Sequence, residues 1–159
     1  MSMPRIATRL NHVAYPTFDT AATVRFYTEV MGFRLVDAVQ DAIGRTRFLH
    51  TFFAMESGEI IAFFDIPDLK KPERDHVPPW VRHLAMSVDS AETLAAWKTR
   101  LESHGLHVEG PIDHDGVWSS IYFTDPNDVM LELTHQTRAL DDTDAQRAAD
   151  MVAAWNSAK

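Results

Sequence analysis

The chain has 159 residues, 45% of them hydrophobic and 24% charged, the balance of one compact domain or two small fused halves. A formal net charge of −8, with no basic stripe, excludes a nucleic-acid backbone as partner. No apolar run reaches the length of a membrane span, the N-terminus lacks the apolar core of a signal peptide, and the absence of cysteine rules out disulfides and thiolate metal sites. A cytoplasmic protein with no membrane partner is expected, and any metal must be held by His, Asp or Glu.

In chain order, residues 10–15 read as a strand with His12 at its centre. In "FDTAATVRFYTEVMGF", Asp19 or Thr20 can cap a helix, Val24, Phe26, Tyr27, Val30 and Met31 give its apolar stripe, and Gly32 can end it in a left-handed conformation. Three strands follow, "FRLVDAV", "RTRFLHTFFAM" and "EIIAFFDI", with "DAIG" and "ESG" as the turns between them. The Pro-rich, charged stretch "PDLKKPERDHVPPW" then reads as a linker or lid.

After it the pattern repeats. "VRHLAMSV" is a strand, and "DSAETLAAWKTRLESHG" a helix capped by Asp89 or Ser90. Its packing face is Leu94, Ala95, Trp97 and Leu101, and Gly105 stops it. "LHVEGPI", "GVWSSIYFT" and "VMLELTH" are strands, with "DPND" turning between the last two. The organisation is therefore a β-α-β-β-β module over 8–66, a linker or lid over 67–80, a second such module over 81–137, and a C-terminal helix over 141–159. Ala148, Met151, Val152 and Trp155 line one face of that helix, which should pack on the body or on a second subunit.

Strand alternation decides which side chains share a face. His12 lies with Ala14, opposite Val13 and Tyr15, and His83 lies with Ala85 and Ser87, opposite Leu84, Met86 and Val88. Glu132 lies with Met130 and Thr134, opposite Val129, Leu131 and Leu133. A lone histidine on a strand is usually structural, but two at the same place in duplicated modules, with a glutamate on the corresponding face, form a set. If the two sheets curve around a shared cavity, all three converge there. Two imidazoles and one carboxylate with open positions suit Fe(II), and also Mn(II), Zn(II) or Ni(II).

The stretches "LNHVAYPTFDTAATVRFYTEVMGFRL", "RHLAMSVDSAETLAAWKTRLESHG" and "IYFTDPNDVMLEL" resemble the vicinal oxygen chelate superfamily. That superfamily includes glyoxalase I, extradiol dioxygenases, fosfomycin-resistance enzymes and methylmalonyl-CoA epimerase. The resemblance covers about residues 8–137. It implies an α+β fold of two βαβββ modules forming a cupped, partly open eight-stranded barrel, and a homodimer or tightly joined modules. It implies His12, His83 and Glu132 as ligands of one divalent metal. The fourth ligand position of such folds falls on Ala62, which cannot ligate, and this argues against glyoxalase and epimerase chemistry. Ala14 replaces a threonine that several fosfomycin-resistance transferases carry two residues after the first ligand.

Extradiol dioxygenases use His, His and Glu on Fe(II) and carry a tyrosine ten residues before the glutamate, where this chain has Tyr122. Of their acid-base histidines, one corresponds to His114, offset by one residue from its usual place; for the other, His76 in the lid is the nearby candidate, although it does not match by position. The resemblance thus implies an Fe(II)-dependent dioxygenase cleaving a small catechol-like or hydroquinone-like aromatic, with Tyr122, His114 and His76 moving protons. Phe64, Trp80 and Trp118 are candidate aromatic walls. The other readings are a glyoxalase-type isomerase or lyase, a fosfomycin-resistance-type thiol transferase, and a bleomycin-resistance-like binding protein without chemistry.

Overall fold

The computed structural model describes residues 10–72 and 77–157; His76 and part of the 67–80 segment lie outside the described residues. The element order is β-α-β-β-β twice, followed by a helix. The first module has β1 (His12–Thr17), α1 (Thr20–Arg25), β2 (Arg34–Ile43), β3 (Thr46–Ala54) and β4 (Ile60–Asp65). The second has β5 (His83–Ser87), α2 (Ala91–Ser103), β6 (Glu109–His114), β7 (Trp118–Thr124) and β8 (Met130–Gln136), and α3 (Asp142–Ser157) closes the chain. Each module makes one four-stranded sheet, in the orders β1-β4-β3-β2 and β5-β8-β7-β6. This is the expected α+β architecture with a C-terminal helix.

Local chemistry sets the helix ends. The Asp19 carboxylate caps α1 by accepting from the Ala22 amide, and the Ser90 hydroxyl caps α2 by accepting from the Thr93 amide. Gly32 (φ 72°) and Gly105 (φ 80°) take the left-handed conformation at the stops. Past α1 the chain widens into a π-helical turn, Phe26–Val30, in which the Met31 amide donates to the Phe26 carbonyl. Neighbouring Phe26 and Tyr27 both turn inward as a result.

In the first sheet β1 pairs parallel with β4, and β3 pairs antiparallel with β4 and with β2. Its helix-facing core is aromatic. Tyr27, Phe53 and Phe63 are fully buried, and the Tyr27 ring lies 4.9 Å from Phe63 and 5.4 Å from Phe53. The core of the second module is aliphatic, built from Met86, Leu94, Leu101, Ile121, Leu131 and Leu133. On α2, Ala95 is exposed rather than packed. The second strand also runs further than expected: Asp41, Ala42 and Ile43 stay in the ladder, because Gly44 and Arg45 alone make the turn. His135 lies inside β8, within the expected strand.

By compactness the chain divides into two units. One is Met1–His83 with Thr124–Met130, and the other is Leu84–Phe123 with Leu131–Lys159. The tip of the β7–β8 hairpin thus folds with the first unit, and a buried polar network explains why. The Tyr27 hydroxyl donates to Asp125 Oδ2 at 3.1 Å, and the Asn127 and Val129 amides donate to Asp125 Oδ1 at 2.8 Å. Asn127 Nδ2 donates to Thr23 Oγ1, and its Oδ1 accepts from the Phe18 amide. Burial raises the Asp125 carboxyl above its usual pKa, against the lowering effect of these donors.

No described helix is long and apolar enough to cross a membrane. On α3, Met151, Val152 and Trp155 are 66%, 61% and 67% exposed.

Asn127→Ala removes three hydrogen-bonding partners from buried or half-buried groups. Urea unfolding of this variant is expected to show a loss of about 2–4 kcal/mol, since each buried group left unsatisfied costs about 1–3 kcal/mol. An unchanged midpoint would contradict the role given to the hairpin tip.

Candidate functional site

His12 opens β1, whose alternation is clean: His12, Ala14 and Pro16 are exposed, while Val13 and Tyr15 are half-buried and Thr17 buried. The Nδ1 of His12 lies 2.7 Å from Asn11 Oδ1. With the amide oxygen as acceptor, the ring carries its proton on Nδ1 and its lone pair on Nε2. His83 repeats this on β5. Its Nδ1 lies 3.0 Å from the Trp80 carbonyl, an obligatory acceptor, so the same tautomer is enforced. An oxygen acceptor on the far nitrogen is the usual way a metal-binding imidazole is oriented.

Glu132 sits on β8 between Leu131 and Leu133, and is 6% exposed. Ser120 donates its single proton to Oε1 at 2.6 Å, and its oxygen lies 2.8 Å from Thr134 Oγ1, from which it can accept. Burying a carboxylate costs several kcal/mol unless it is hydrogen-bonded and paired, and the Ser120 hydroxyl fixes its orientation. Imidazole nitrogen and carboxylate oxygen are donor types that suit a divalent cation. His12 and His83 belong to the first unit and Glu132 to the second. Among the described residues, no group of three or more His, Asp or Glu side chains is gathered closely enough to hold a metal ion.

Tyr122 and His114 meet in the second sheet. His114 pairs with Trp118 across the β6–β7 hairpin, and a bulge between Glu109 and Ile112 shifts the register. His114 Nε2 reaches the Tyr122 hydroxyl at 2.9 Å. Burial raises the pKa of the phenol, and the Glu132 carboxylate raises it further, while a hydrogen bond from Ser120 lowers it. His114, Tyr122, Ser120 and Glu132 are therefore one connected polar cluster.

Ala62 stands in register with Ala14 on β1 and with Phe52 on β3. The two positions where a polar residue was looked for are thus neighbours, and both are alanine. Trp80, on a short 3₁₀ turn, is 69% exposed, whereas Phe64 stacks on His50 at 3.6 Å between centroids.

The sequence did not single out Asn11, Ser120 or the direction of His50. Ser120 was within reach of the alternation argument, since it shares a strand face with Trp118 and Tyr122. Asn11 has no periodic signal; only its adjacency to His12 marks it.

The model of the Glyoxalase/Bleomycin resistance protein/Dioxygenase superfamily matches residues 9–133. Metallothiol transferase FosB of Bacillus licheniformis is 29% identical over 125 residues, covering 78% of this chain and 73% of that protein. Uncharacterized protein YaeR of Escherichia coli is 30% identical over 131 residues, covering 80% of this chain and 96% of that one. Among solved structures, the fosfomycin resistance protein FosX of Listeria monocytogenes, complexed with Mn(II) and sulfate, has a similar fold. Its TM-score is 0.59 at 20% identity, over 83% of this chain and 95% of that one. With duplicated βαβββ modules, oriented donors on matching strands and a family match over most of its length, the chain belongs to the glyoxalase/bleomycin resistance protein/dioxygenase superfamily.

Proposed function

We propose that His12, His83 and Glu132 bind one divalent metal, Fe(II) by preference and Mn(II), Zn(II) or Ni(II) as alternatives. The reaction we propose is oxygen-dependent ring cleavage of a catechol-like or hydroquinone-like aromatic. When bound, the metal acidifies hydroxyl groups that chelate it. The observation that carries the reading is the His114–Tyr122 hydrogen bond in the cluster that contains Glu132. A phenol bonded to an imidazole can hold a proton at the substrate oxygen and pass it on, since imidazole titrates near neutral pH. Tyr122 orients the substrate hydroxyl, and His114 takes its proton and returns it to the opened product. His76 is a second proton carrier in this reading. Ala14, exposed on the strand face of His12, keeps that position free of a bulky side chain.

A second reading is metal-dependent thiol transfer to fosfomycin, favoured by the similarity to FosB. It uses the same three ligands, and Ala14 in place of a threonine weighs against it. We also propose that the active form is a homodimer. The exposed stripe of Met151, Val152 and Trp155 on α3 supports a second copy.

Ser120→Ala removes the hydroxyl that orients Glu132. A loss of about 10- to 100-fold in Mn(II) affinity is expected, the usual effect of losing a group that orients a ligand, together with a lower thermal midpoint as the buried Glu132 carboxylate loses a donor. Unchanged affinity by calorimetric titration would detach Glu132 from the metal. Protein reconstituted anaerobically with Fe(II) should sediment as a dimer at micromolar concentration, and should take up oxygen with catechols or hydroquinones to give a yellow ring-fission product. Thiol consumption with fosfomycin and no oxygen uptake would replace the first reading by the second. Metal-free protein whose function survives His12→Ala would leave only a binding module.

A further inference from the structure

The first sheet carries aromatic side chains on both faces. Tyr27, Phe53 and Phe63 form the core on one side. The other side is set by register in three rows, His12–Ile60–Ala54, Ala14–Ala62–Phe52 and Pro16–Phe64–His50. His50 is stacked on Phe64 at 3.6 Å and 16°, lies 4.1 Å from Phe52, and Phe48 meets Phe64 edge-on at 5.3 Å. All four rings are half-buried, so they form a partly open aromatic plate. Ala14 and Ala62 share the middle row with Phe52, next to the row of His12, Ile60 and Ala54.

One atom in the plate is out of place for plain packing. His50 Nε2 is shielded from water and has no hydrogen-bond partner. Buried polar atoms are nearly always bonded, and the exceptions call for an explanation. A phenylalanine there would stack equally well without the orphaned nitrogen. His50 also feels the charge of His12, which lowers its pKa, after burial as the larger cause. The orphan therefore lies within electrostatic reach of a proposed metal ligand.

We propose that Phe48, His50, Phe52 and Phe64 form a binding plate for a planar aromatic ligand, and that a hydroxyl on the ligand's distal edge bonds to His50 Nε2. The proposal rests on the metal-site reading only for His12; the plate and the orphaned nitrogen stand without it. A hydroxyl suits the position because it can donate or accept, whichever the imidazole tautomer needs. The ring is half-buried, and χ2 of histidine is a soft torsion, so a small rotation brings the nitrogen to a ligand lying on the plate. His50 is a specificity-determining residue in this assignment, since the bond forms far from the reacting oxygens.

The test uses metal-free protein and two fluorescent probes of the same shape, 2-naphthol and naphthalene. The wild type is expected to bind 2-naphthol more tightly. His50→Phe keeps the stack and removes the nitrogen. It should weaken 2-naphthol about 5- to 10-fold, the size of one hydrogen bond, leave naphthalene within about twofold, and keep or raise the thermal midpoint. A His50→Phe protein that loses stability yet binds both probes like the wild type would make His50 structural and overturn the proposal. So would a wild type that binds neither probe, or both equally. If His50→Phe does not fold, the ¹⁵N resonance of His50 Nε2 in the wild type decides instead: it must move with 2-naphthol and not with naphthalene. Naphthol binding without oxygen uptake from any catechol removes the ring-cleavage reading and leaves this proposal. Oxygen uptake from catechol with a His50→Phe protein unchanged in KM and naphthol affinity does the reverse.

Discussion

Asp125, buried at the tip of the β7–β8 hairpin, accepts hydrogen bonds from Tyr27, from the Asn127 side chain and from the backbone amides of Asn127 and Val129. Asn127 ties the same tip to Thr23 and to the Phe18 amide. These bonds fold residues 124–130 with the first unit, although the strands they join lie in the second sheet. A carboxylate buried among so many donors costs desolvation, visible in its raised pKa, and is held only because every bond is made. The tip is therefore the constraint on which the packing of the first unit around Thr23 and Tyr27 depends.

The proposed ligands share a logic that strand position alone does not supply. Each histidine gives Nδ1 to an oxygen acceptor, Asn11 for His12 and the Trp80 carbonyl for His83. Glu132 is turned by Ser120. Three donors are thus oriented by groups next to them in sequence or across one strand pair. On the first sheet, the face that carries His12 is unusually tolerant of aromatic exposure, with alanine where a polar side chain would have blocked a flat ligand. A polar group placed against local packing rules, as His50 Nε2 is, marks a functional position more often than a structural one.

Much of this was legible in the sequence, for identifiable reasons. The two modules repeat a strand, a capped helix and a glycine stop, and Gly32, Gly105, Asp19 and Ser90 act as their residue types require. Alternation in "VRHLAMSV" is clean, so the exposed face of β5 could be read directly, whereas on β8 Leu131, Glu132 and Leu133 are all buried and the pattern alone does not show it. It fails in "RFLHTFF", where both faces carry aromatics and no period-2 signal remains; hence the direction of His50 came only from the register. The extra length of β2 was hidden because "DAIG" looks like a turn, whereas Gly44 with Arg45 is enough to make one. The π-helical turn leaves no mark in a stripe read at helical spacing. The His114–Tyr122 contact depends on a β-bulge, which shifts register by a residue without any composition signal. The stripe on α3 was read correctly as apolar, but its amphipathic pattern does not say what covers it.

The proposed site holds one metal on two imidazoles and one carboxylate, and electron–nuclear double resonance on Mn(II)-loaded protein, ¹⁵N-labelled at histidine, reads those ligands themselves. One Mn(II) per chain with two coupled histidine nitrogens is expected in the wild type. His12→Ala and His83→Ala should each leave one, and Glu132→Gln should weaken Mn(II) binding with any remaining bound ion still coupled to both. No histidine coupling in the wild type, or couplings that survive both histidine replacements, would contradict it.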